Sequence, residues 1–142
     1  MKKTLLVTLF AATLSFAQTA KEMIVYKTPY CGCCTKWTEI MQKNGIDVKV
    51  RMVNDVNSVN NELGINPSLA SCHTAIIDNY IVIGHVDYSA VKKMLEEKPD
   101  IVGITVPGMP IGSPGMEQGD VKQPYNVLSI KKDGSTAIYE KH

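Results

Sequence analysis

Aromatic residues are scarce in this 142-residue chain, at 6%, and neither sign of charge predominates. Its 15 basic and 14 acidic residues give a formal charge of +1, so there is no basic excess to draw in nucleic acid and no acidic tail. A hydrophobic run of the roughly 20 residues that a bilayer requires is also missing. No internal repeat or second domain boundary is visible. These absences argue against a nucleic-acid binder driven by bulk charge and against a retained membrane helix. With 44% hydrophobic and 20% charged residues, the composition that remains is that of one soluble globular domain.

What stands out is cysteine. Cys31, Cys33 and Cys34 crowd into four positions and Cys72 stands alone. Before them, Lys2 and Lys3 precede an apolar run from Leu5 to Phe16, and Ser15 and Ala17 place small residues at −3 and −1 of a cleavage site. Residues 1–17 are therefore predicted to be a Sec-type signal peptide, leaving 18–142 as the mature domain. No cysteine follows Ala17 to take a lipid, so no membrane attachment is expected after cleavage. Removal of two lysines turns the formal charge slightly negative, and all the cysteines are exported. The pattern suggests a bacterial periplasmic protein, in a compartment where thiols oxidise unless they are paired, held by metal or kept reduced.

Hydrophobic patterning of the mature chain reads as alternating strands and helices. Met23 to Tyr26 is a buried strand that enters a turn at Thr28 and Pro29. Trp37, Ile40, Met41 and Asn44 lie at helical spacing with Gly45 as the stop, so the cysteine cluster sits at a strand-to-helix junction. Val48, Val50 and Met52 alternate with Lys49 and Arg51 as a second strand. A helix over about Asp55 to Leu63 stops at Gly64. Thr74 to Asp78 and Tyr80 to Gly84 make a hairpin turning at Asp78 and Asn79, which both tolerate positive φ. A further helix from about Asp87 to Lys98 ends at Pro99. The order β, α, β, α, β, β, α is that of a thioredoxin-like α/β domain. Residues 103–119 carry so much proline and glycine that a long irregular loop is expected there, with neither regular helix nor central strand. The chain then closes with a hairpin, Tyr125 to Lys131 and Thr136 to Tyr139 around Asp133 and Gly134, added to the domain.

Several chemistries are open to the cysteines. Unpaired N–H groups and the dipole at a helix start favour thiolate, so Cys31 could attack as a nucleophile and Cys34 resolve, as in a thiol–disulfide oxidoreductase. Two structural disulfides are another use of four exported thiols, although small disulfide scaffolds space their cysteines widely. Three crowded thiolates also repel one another, and a soft cation relieves that repulsion; such sites select Cu(I), Zn(II) or iron–sulfur clusters. In a thioredoxin-like domain the segment entering the third strand faces the CxxC, and here it reads Ser71-Cys72-His73-Thr74. Convergence of four sulfurs is the expectation. Zinc ribbons use two separated CxxC knuckles, whereas the adjacent Cys33 and Cys34 suit bridging between several metals.

Met109 and Met116, embedded in the Pro/Gly loop, add thioethers that prefer Cu(I) to zinc; as gap-fillers, methionines also simply cap cores. His73 adjoins Cys72 and joins the candidate set. His85 is left outside it, because histidines also serve as hydrogen-bonded structural residues. No catalytic residue is assigned.

Tyr26-Lys27-Thr28-Pro29-Tyr30-Cys31-Gly32-Cys33-Cys34 with Trp37, then Cys72-His73-Thr74-Ala75, Gly84-His85-Val86, Val106-Pro107-Gly108-Met109-Pro110 and Gly112-Ser113-Pro114-Gly115-Met116-Glu117 together resemble the CopG-type family of periplasmic copper-resistance proteins. The match spans nearly the whole mature chain. Asp87 stands where relatives often carry proline. The resemblance implies a thioredoxin-like fold with a multinuclear Cu(I)–thiolate cluster on Cys31, Cys33, Cys34 and Cys72, and Met109, Met116 and His73 as its neighbours. It also implies a role in handling excess copper, with a change of copper oxidation state, in exchange with other periplasmic copper-handling proteins.

Overall fold

The computed structural model describes residues 20–142; the expected signal peptide, 1–17, lies outside them. The first strand, β1 (Glu22–Lys27), leads into helix α1 (Gly32–Lys43), which crosses over to β2 (Asp47–Met52), parallel to β1. A crossover of this kind is what a parallel pair requires. Helix α2 (Val56–Glu62) follows, capped by the Asp55 carboxylate on the Asn57 N–H, and a 3-10 turn spans Pro67–Leu69. Strands β3 (His73–Ile77) and β4 (Tyr80–Ile83) form the expected hairpin, with Asp78 and Asn79 both at positive φ. Helix α3 (Tyr88–Glu97) begins at Asp87, whose carboxylate accepts from the Ser89 N–H at 2.7 Å and so does the capping work at this start. The order of elements expected from the sequence holds through α3.

Beyond α3 the chain departs from the irregular loop expected over residues 103–119. Gly103–Thr105 is not irregular: it is β5, a central strand paired in parallel with β4 and antiparallel to β6 (Asn126–Ile130). Gly103 reads as a strand breaker in the sequence, yet a Cβ there would collide with the backbone of Ile81, so glycine permits the close pairing of β4 and β5. The last strand, β7 (Thr136–Lys141), pairs with β6, and the closing hairpin thereby extends one mixed sheet in the order β2-β1-β3-β4-β5-β6-β7. The irregular excursion is confined to residues 106–125.

The sheet is covered on both faces. Trp37 and Met41 of α1 and Val91 and Met94 of α3 pack with Met23, Val25, Ala75, Val82 and Ile104 in the larger core. Ile65 and Leu69 cover Ile81, Ile83 and Ile130 on the opposite face. The alternation in β2 buries only Val48: Val50 and Met52 are exposed, because β2 is an edge strand. Among the described residues no helix is long and apolar enough to cross a membrane.

Candidate metal centre

Cys31 is the N-cap of α1, with extended backbone and no side-chain capping bond, so Cys33 and Cys34 lie in the first turn, where backbone N–H groups have no partner within the helix. Cys72 immediately precedes β3, which β1 places beside that turn. The sulfurs of Cys31, Cys33, Cys34 and Cys72 all lie within 4.8 Å of one another, as the sequence reading expected. They are chemically unequal: Cys31 and Cys34 are joined by a disulfide, while Cys33 and Cys72 are free thiols. The Cys33 sulfur lies 3.5 Å from that of Cys31 and 4.0 Å from that of Cys72. Cys34 is fully buried; the other three are half-buried.

Two imidazoles complete the cluster. Cys72 Sγ is 3.5 Å from His73 Nδ1 and 3.0 Å from His85 Nε2, and the three ligand atoms form a second convergent group. His85 is the residue the sequence reading left out. The hairpin register pairs Thr74 with Ile83 and Ile77 with Tyr80; continued past the strand end, it sets Cys72 opposite His85. Counting outward from the Asp78-Asn79 turn would have found it.

The covering loop fixes these groups from above. His85 Nδ1 lies 2.8 Å from the Pro114 carbonyl, an acceptor only, so Nδ1 carries the proton and Nε2 turns its lone pair to Cys72. Gly115, at φ +87°, presses so close that a Cβ would meet the Cys33 carbonyl at 2.9 Å and the Trp37 N–H nitrogen at 3.1 Å. Trp37 donates its indole N–H to the Val86 carbonyl at 2.8 Å, binding α1 to the segment that carries His85. Met116 follows Gly115 and is half-buried; Met109 follows Gly108, whose N–H donates to the Ala70 carbonyl, and is 52% exposed.

Burial governs the protonation of the site. It pushes the Cys72 thiol up to about 12, with the facing Cys33 adding to the effect. His73, fully buried beside Trp37 and His85, is lowered to about 3, and burial also lowers His85. The site thus holds neutral imidazoles, and the buried His73 Nε2 has no hydrogen-bond partner. Converging sulfur donors beside neutral imidazoles suit a soft cation that displaces thiol protons.

Fold and site together define a mixed α/β protein with a cysteine-rich centre able to bind metal. The family described as "Protein of unknown function, DUF411" matches residues 69–116. The solved structure "Copper resistance protein copG- Form 1" is 38% identical with a TM-score of 0.80, over 85% of this chain and 96% of that one. "Copper resistance protein copG- Form 2" is 37% identical with a TM-score of 0.82, over 87% and 98%. No curated protein matches the chain. The chain belongs to the CopG-type family of copper resistance proteins.

Proposed function

We propose that this is a periplasmic copper-binding protein of copper resistance, exported by residues 1–17, which holds several Cu(I) ions in a thiolate cluster. The observation that carries the reading is the convergence of the Cys31, Cys33, Cys34 and Cys72 sulfurs within 4.8 Å, with adjacent thiols suited to bridging. Cys31 and Cys34 become ligands once an external dithiol reduces their disulfide by exchange and leaves as its own disulfide, the two new thiols then losing their protons as Cu(I) binds. His73 and His85 offer nitrogen lone pairs beside Cys72. Met109 and Met116 supply thioethers from the covering loop. Bridging sulfur keeps the ions close, and a centre that passes one electron per copper to an external acceptor would move between Cu(I) and Cu(II), in detoxification or in transfer to other copper-handling proteins.

Anaerobic titration of the reduced protein with Cu(I) is expected to load more than one copper per chain, and Cys72→Ser to lower that ratio. A parent that binds one copper or none, with Cys72→Ser indistinguishable from it, refutes the cluster. The Cys31–Cys34 disulfide, with the Cys33 thiol 3.5 Å from Cys31, favours a second reading as a thiol–disulfide oxidoreductase. Insulin reduction that depends on Cys31 and is indifferent to copper would select that reading.

A further inference from the structure

Lys27, the last residue of β1, is 3% exposed and alternates with Met23 and Val25 toward the face that α1 covers. It pairs across the sheet with His73, the neighbour of Cys72. Its ammonium donates to one acceptor, the Thr28 carbonyl at 3.1 Å, and the same carbonyl receives the Cys31 N–H at 3.3 Å. None of the ion pairs among the described residues includes Lys27. A buried ammonium without an anion is unfavourable. The positive end of α1, which starts at Gly32, makes it more so. The Thr28 carbonyl shared by the Lys27 ammonium and the Cys31 N–H places Lys27 at the start of the turn that carries Cys31, Cys33 and Cys34.

We propose that Lys27 is the built-in counter-charge of the sulfur centre. Folding places a cation where the metal-free, protonated site has no use for it. Thiolates that hold fewer Cu(I) ions than there are sulfurs carry net negative charge, and an ammonium fixed beside them stabilises that charge at low dielectric without recruiting an ion from solvent. Lys27 is thus a positioning charge and not a ligand. The inference rests on the copper–thiolate reading above.

The test compares the reduced parent with Lys27→Leu and Lys27→Arg, each competing anaerobically for Cu(I) against a chromophoric chelator. Leucine removes the charge at nearly the same volume and adds no soft donor. Lys27→Leu is expected to lower Cu(I) affinity roughly tenfold or more, the scale of one lost charge interaction near a protein surface or interior. Lys27→Arg should retain most of it. Metal-free Lys27→Leu should unfold at or above the parent's temperature, because an unpaired buried charge has gone. Equal affinity in Lys27→Leu and the parent would overturn the inference. An equal loss in Lys27→Arg, or a metal-free Lys27→Leu that no longer folds, would do the same by making Lys27 a packing residue. If the parent binds no copper, the proposed function falls and takes this inference with it; if only the variants match the parent, this inference falls alone.

Discussion

Cys31 and Cys34 share a bond, while Cys33 and Cys72, a few ångströms away, keep free thiols. The joined pair is local, set three residues apart by the first turn of α1. The free pair is separated by 39 residues and meets only because β1 and β3 are neighbours. The surroundings differ as well: the imidazoles of His73 and His85 both lie at Cys72. The contrast teaches that one cluster of identical side chains can be divided into a redox element and a pre-arranged donor element. On the proposed function, reduction adds the sulfurs of the first pair as donors, while the second pair already offers free thiols.

Reduction should abolish the contrast, and this is the largest effect expected. Protein prepared without reductant, its disulfide intact, should hold at most one Cu(I) per chain, whereas the reduced protein should hold several. Copper-to-protein ratios measured before and after reduction check this, and equal ratios would show that the joined pair takes no part in binding.

Acid sharpens the contrast, since His73 belongs to the surroundings of Cys72. Its imidazole is neutral when folded down to about pH 3, against an ordinary value of 6.5, so the unfolded chain binds the extra proton between those values. Its contribution to stability is therefore complete above pH 6.5 and is lost as pH falls toward 3, at about 1.4 kcal/mol per pH unit. Urea unfolding of the metal-free protein at pH 7, 5.5 and 4 measures it, and His73→Phe should flatten the dependence.

Gly115→Ala presses hardest on the Cys33 side, since its methyl would lie 2.9 Å from the Cys33 carbonyl and 3.4 Å from His85 Nδ1. The methyl group would press on the Cys33 carbonyl, and φ +87° is unfavourable for alanine. The expected loss is about 1–3 kcal/mol of stability, with faster alkylation of Cys33 than of Cys72. Mass spectrometry of the alkylated peptides reads the difference, and equal acceleration at both thiols would show that the loop covers them as one.

The parts legible in the sequence are those decided by neighbours along the chain. The CxCC at the start of α1, the Asp78-Asn79 turn and the Asp87 start of α3 each depend on a few adjacent residues, and each lies where those residues indicate. Cys72 was legible through the order of the elements. β5 was hidden because Gly103 looks like a breaker until the backbone of Ile81 is beside it. The exposure of Val50 and Met52 follows from the edge position of β2, which alternation alone does not reveal. His85 was present in the register but needed the hairpin to be counted outward. Lys27 lies just past the apolar run Met23 to Tyr26, and its burial emerges only once β1 is paired with β3. The sequence admits four thiolates, two bridges or a Cys31–Cys34 exchange pair, and the structure holds the Cys31–Cys34 bridge with Cys33 and Cys72 as free thiols.

β5 and β6 are adjacent strands, so residues 106–125 are the excursion of a single hairpin with both ends fixed inside the sheet. Both its ends are anchored by strand pairing, and its middle is anchored on the site by Gly115 against α1 and by the Pro114 carbonyl on His85. The site thereby has two parts: α1 and β3, which carry the cysteines and His73, and a tethered cover that holds His85 through Pro114 and brings Met109 and Met116.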